Sequence, residues 1–374
     1  MTERSGSALL PTELDSARNE QTSALKEKYG RCIEGLAPGI PDRAAKVLGM
    51  RALGNFSVGL GGIPLTTVGM STGTGRLNNR RMPPRFVACW FFLMFSAQGS
   101  LVMAQRQDTA FHPGRFWAVT GGGMAVMGGS LIGLNSAWYA EYDRQAFHGF
   151  NDGDEWLQTD KGGHVFSSYW IGRWANGLMS YSGVRRRAGV WVGAATAMVF
   201  LGGIEMLDGY SAGWGFSGWD LAANTVGAGV FLGQELAWGQ QRVKLKYSVW
   251  TSQFASRRPE LLGTSFGERV LKDYNGQTLW ATLAWGGLHR APVRWGWLGI
   301  SVGHGADGMI TAEAEPGDDR FRQIFLSLDV DLERIRTRSA ALRTVFFLLN
   351  CLKVPAPAIE FRSTGRVLVH GLYY

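Results

Sequence analysis

The chain has 374 residues, with 38 Lys+Arg against 30 Asp+Glu for a formal charge of +8, 45% hydrophobic and 18% charged residues, and 52 glycines. So large an apolar share excludes a disordered chain, and so small a charged share argues against an ordinary cytosolic enzyme, where about 25% is usual. Cys32, Cys89 and Cys351 are too scattered for a disulfide framework or a zinc site. The basic residues form short clusters such as Arg185-Arg186-Arg187 without interleaved aromatics, so no nucleic-acid partner is expected.

Residues 1–81 carry no sustained period and read as a disordered or mis-annotated extension. From Met82 the chain is laid out like a secretory signal: Arg85, an apolar run from Phe86 to Phe95, and Val102-Met103-Ala104 ahead of Gln105. The natural start is therefore expected at Met82, with 82–104 a signal peptide or membrane anchor.

Residues 105–240 read as a glycine-rich helical bundle. Four apolar stretches, near 116–139, 162–182, 188–207 and 218–238, carry small residues four apart, such as Gly129 and Gly133 or Gly189 and Gly193. That spacing lets helix backbones approach closely, in membranes or dense bundles. Residues 241–374 read as antiparallel β-structure with one late helix over Ser339–Leu352. Alternation is clearest from Gln323 to Leu332, which sets Ile324, Leu326 and Leu328 against Gln323, Ser327 and Asp329. Such alternation suits half-buried or outer-membrane strands, so the expected fold is α+β, helices followed by an antiparallel sheet or partial barrel. Trp280, Trp285, Trp295, Trp297, Tyr373 and Tyr374 suit a membrane-interface belt.

Three of the helical stretches carry polar pairs one turn apart: Asp160 with His164, Glu205 with Asp208, and Asp220 with Asn224. Charges on apolar helices need partners, so these faces are expected to meet, with Lys161 and His164 among the acids. The pattern Asp160-Lys161-x-x-His164, Glu205 with Asp208, and Asp220-x-x-x-Asn224-x-x-Gly227 resembles VanZ-like proteins. It is also similar to a bacterial family of predicted periplasmic lipoproteins, whose long members share Phe147-His148-x-Phe150-Asn151-Asp152, Glu155-Trp156-Leu157-Gln158, Lys272 to Gln277, and Pro355-Ala356-Pro357-Ala358. One departure is that no lipid-attachment cysteine follows the apolar run. The resemblance implies a place, the periplasm or outer membrane of a Gram-negative bacterium, more than a reaction.

The chemistry of the cluster stays open at this level. His164, with Asp160 and Glu205, suits acid–base catalysis on a lipid or cell-wall precursor, with Ser167 or Ser168 as a nearby nucleophile. The same side chains, with Lys161, Asp208, Asp220 and Asn224, suit a metal ion, a lipid headgroup, or a structural lock between helices. The sequence leaves any cofactor open, and membrane lipid, a cell-wall precursor or other envelope proteins are the expected partners. The Asn151–Glu155 loop reads as a solvated turn, Cys351 as core, and His148 and His370 as ordinary surface or packing residues. Gly121-Gly122-Gly123 follows no strand, so it is a poor dinucleotide site.

Overall fold

A computed structural model describes residues 110–137, 139, 142–289, 293–315 and 319–373. The expected extension at 1–81, the signal at 82–104 and Tyr374 lie outside the described residues. Helices α1 (Pro113–Ala137), α2 (Thr159–Tyr181), α3 (Arg186–Gly209) and α4 (Gly218–Trp238) come first. Six strands follow, β3 (Val243–Val249), β4 (Gln277–Ala284), β5 (Leu298–Asp307), β6 (Phe321–Val330), β7 (Ala356–Arg362) and β8 (Val367–Tyr373). Helix α5 (Ala340–Leu349) lies between β6 and β7, and the two-residue strands β1 (Gly149–Phe150) and β2 (Phe216–Ser217) pair in parallel ahead of α4.

The four-helix bundle expected from the glycine runs reduces to three mutually packed helices, α2, α3 and α4, with α1 at their margin. Glycine decides this. A Cβ on Gly193 would stand 2.4 Å from Gly172 O, and one on Gly227 2.1 Å from Val165 O, so α3 and α4 press their backbones onto α2 at these points. Gly121, Gly122, Gly123, Gly128 and Gly133 of α1 would meet nothing within 4 Å. Helices α1 and α3 are each long and apolar enough to cross a membrane. Trp117, Met124 and Ile132 on α1, and Trp191 and Val199 on α3, are exposed.

The strands form one antiparallel sheet in chain order, β3 to β8, open rather than closed into a barrel. Its polarity is inverted relative to a soluble sheet. Lys246, Thr282, Ser301, Gln323, Ser327, Asp329 and Glu360 are buried, while their alternating neighbours Ile300 (58% exposed), Val302 (52%), Ile324, Leu326, Leu328 and Phe361 face outward. The sheet curls enough for β3 to reach β6: Lys246 Nζ lies 3.0 Å from Asp329 and donates to Val330 O at 2.6 Å. Thr282 donates to the same Asp329, and Lys353, from the segment after α5, donates to Leu328 O. Trp280 turns inward over Gly303, whose missing Cβ makes room for it, and donates to Ser248. Trp280 is therefore interior, not a belt residue as expected, and Tyr373 is half-buried against Phe325, whereas Trp285 and Trp295 are exposed.

Helix α2 joins the two parts. Trp170 Nε1 donates to Leu245 O, and Tyr169 and Trp170 form a buried cluster with Phe231 of α4. Arg173 makes a two-bond contact to Glu333, which also receives Lys244 at 3.1 Å. Burial alone would raise the Glu333 carboxyl, but Arg173 and Lys244 hold it down to about 2.

Candidate functional site

The N-terminal turn of α2 is set by an unusual approach. Trp156, Leu157 and Gln158, none of them glycine, take φ of 48°, 49° and 60° in succession. Left-handed backbone costs an ordinary residue roughly 1–2 kcal/mol, so tertiary contacts must hold it. Trp156 N donates to Ala312 O, Gln158 Nε2 to Gly153 O, and Arg322 of β6 donates to Leu157 O at 2.6 Å and to the Gln158 side chain. Opposite, Ser217 caps α4: its hydroxyl accepts from Asp220 N and donates to Asp152 Oδ1 at 2.5 Å. The β1–β2 pair thereby brings the Asn151–Glu155 loop onto the helices.

The loop is therefore not the solvated turn that the sequence suggested. Asp152 is buried and its carboxylate lies 2.5 Å from Lys161 Nζ. Lys161 also contacts Asp160 at 2.9 Å and Asp220 at 2.7 Å, so one ammonium serves three carboxylates from a loop and two helices. Burial works against the Lys161 ammonium, but the surrounding carboxylates, Asp160 foremost, raise its pKa well above that of an ordinary lysine. Burial likewise opposes the Asp152 carboxylate, yet its bonds from Lys161 and Ser217 bring it below the usual range. Asp220 moves the other way: burial raises it, against the pull of His164 and Lys161.

His164 lies on the same side of α2. Its Nδ1 is 3.1 Å from Asn224 Oδ1 and 3.7 Å from Glu205 Oε1, and its Nε2 is 3.6 Å from Asp220 Oδ1. Glu205 is 1% exposed. Burial, with Asp220 and Asp208 adding repulsion, pushes its carboxyl up to about 8. Asp208 stands aside, receiving the Tyr139 hydroxyl at 2.7 Å; burial raises it to about 6, tempered by that bond and by His164.

Asp160, Lys161, His164, Glu205, Asp220 and Asn224 thus come together through direct contacts, and Asp208 adjoins them. Asp152, Ser217 and Tyr139 complete the cluster and were not singled out from the sequence; the acidic loop and the shared Phe150-Asn151-Asp152 motif were the signals for the first. The serines after His164 offer less than expected: Ser168 is fully buried and donates to Asn224 O at 2.6 Å, clasping α2 to α4. Cys351 is buried with its thiol pushed up to about 12, mainly by burial, which suits core and not a nucleophile. His370 is 2.7 Å from the buried Glu360.

Residues 149–232 match a family described as predicted periplasmic lipoprotein (DUF2279). The match runs from β1 to the last turns of α4 and takes in every cluster residue named above except Tyr139. It fits an envelope protein. No curated protein and no solved structure matches the chain.

Proposed function

We propose that this is a bacterial envelope protein that works in contact with a membrane: the outer sheet face rests on lipid while the polar cluster locks α2, α3 and α4 in register. The observation that carries this reading is the inverted sheet. Apolar side chains on the outside and ion pairs within is the pattern of a lipid-facing β-wall, and water gives no reason for it. The exposed apolar residues of α1 and α3, the match to periplasmic lipoproteins and the exposed Trp285 and Trp295 support the same placement. The likeness to VanZ-like proteins, carried by the Asp160-Lys161-x-x-His164 pattern, belongs to this reading. The role is envelope integrity, and the outer membrane is the membrane that normally holds such strands.

A second reading, an enzyme acting on a lipid or cell-wall precursor, is favoured by one observation: the His164 side chain is 24% exposed while the acids around it are nearly enclosed. Membrane flotation tests the main reading. The full chain should float with phospholipid vesicles through a high-salt wash, and a Val302→Arg/Leu326→Arg/Val369→Arg variant should not. Charges on a lipid-facing strand cost about 2–4 kcal/mol each near the midplane, whereas exposed positions in water tolerate them within about 0.5 kcal/mol. A wild-type chain that stays soluble as a monomer, or as a stable dimer that the variant breaks, overturns the lipid assignment.

A further inference from the structure

The helical cluster is out of charge balance in one corner. Asp152, Asp160, Glu205, Asp208 and Asp220 contribute carboxylates, against one lysine and one histidine. Lys161 covers Asp152 and Asp160, and it shares Asp220, whose Oδ1 lies 2.7 Å from the ammonium and 3.6 Å from His164 Nε2. Asp208 has the Tyr139 hydroxyl. Glu205 is covered on one oxygen only: Oε2 accepts from Ser217 N at 3.4 Å, while Oε1 is buried without a hydrogen-bond partner and faces the imidazole of His164. The amide nitrogen of Asn224, a fully buried residue beside the same imidazole, is also without one. Orphaned buried polar atoms are expensive; the bare Glu205 oxygen is an acceptor that a cation would satisfy, while the Asn224 amide is a donor that calls for an oxygen, such as a water on that cation.

One ligand atom each from His164, Glu205 and Asp220 lie within 4.8 Å of one another. The three residues come from α2, α3 and α4. We propose that His164, Glu205 and Asp220 bind a divalent first-row transition ion, of the Zn2+ or Mn2+ kind, which cross-links the three helices. An imidazole nitrogen with two carboxylates suits such ions, while Ca2+ and Mg2+ prefer all-oxygen shells. Asn224 Oδ1, 3.1 Å from His164 Nδ1, is placed as the outer partner that fixes the ring and leaves Nε2, on the Asp220 side, for the ion. Small inward shifts of the three side chains reach bonds of about 2.0–2.2 Å. The site does not depend on the membrane assignment.

The test uses the full chain in detergent, stripped with EDTA and then titrated with Zn2+ or Co2+. The expected result is one equivalent bound, a raised Tm, and visible d–d absorption with Co2+. His164→Gln and Glu205→Gln should each abolish the Co2+ bands, and Asn224→Ala should weaken binding about 10–100-fold. Glu205→Gln removes the buried negative charge and keeps an oxygen for Ser217 N, so the stripped variant should melt no lower than the stripped wild type; a general folding defect is thereby told apart from loss of a ligand. A wild-type chain with no Co2+ bands and no Tm response to Zn2+ overturns the proposal, and so do unchanged Co2+ bands in His164→Gln. If Glu205→Gln does not fold, elemental analysis of Zn2+-loaded wild type decides, less than half an equivalent per chain being the overturning result.

Discussion

Lys161→Met is the sharpest perturbation of the helical cluster, because it keeps the side-chain stem and removes only the ammonium. That ammonium sits 2.5, 2.9 and 2.7 Å from Asp152, Asp160 and Asp220, all nearly enclosed. Each contact is worth roughly 6 kcal/mol of gross attraction at an effective dielectric constant of about 20. Most of this is cancelled by desolvation and by repulsion among the acids. The relevant quantity is the cost of stranding buried charge by removing its partner, about 3–5 kcal/mol. The stranded carboxylates can relieve themselves by taking up protons, so the loss should be largest at pH 7 and shrink toward pH 5. Equilibrium urea unfolding of the full chain in detergent, followed by tryptophan fluorescence, measures it. A loss under about 1 kcal/mol at pH 7, or one that grows as pH falls, would refute the three-carboxylate account.

Two further outcomes are expected. Gly227→Ala should destabilise by about 1–3 kcal/mol through overpacking, since its Cβ would stand 2.1 Å from Val165 O, while Gly229→Ala, with nothing within 4 Å, should be neutral or stabilising by up to about 1 kcal/mol; equal effects in thermal melts would contradict the close approach of α4 to α2. Lys353, whose ammonium is fully enclosed, is pushed down from 10.5 to about 8, mainly by burial and also by Lys246, with Asp329 opposing. Between pH 8 and 10.5 the unfolded chain therefore binds more protons than the folded one, and stability should rise with pH across that window. Lys353→Met should flatten that rise, which unfolding midpoints at pH 7.5, 9 and 10.5 would reveal.

Much of the helical site was legible because its polar pairs recur at helical spacing on apolar segments: Asp160 and His164, and Asp220 and Asn224, had to find partners in the interior. Asp152 was not, because Asn-Asp-Gly-Asp has the composition of a solvated turn, and only the β1–β2 pairing turns it inward. Arg173 and Glu333 are 160 residues apart, and no local period links them. In the sheet, alternation located the strands but could not say which face is buried. Period two defines two faces; the surrounding medium decides which of them is inside, and here Asp329 is enclosed while Leu328 is not.

The left-handed turn at Trp156–Gln158 bears on the order of assembly. Gln158 Nε2 to Gly153 O is its one local tie, and its long-range brace, Arg322, joins Leu157 across 165 residues. Long-range closures of this kind come late, after loop entropy has been overcome. The acidic cluster should accordingly mature only once β6 is in place, and pulse-labelling exchange that protected the first turn of α2 before β6 would contradict that sequence of events.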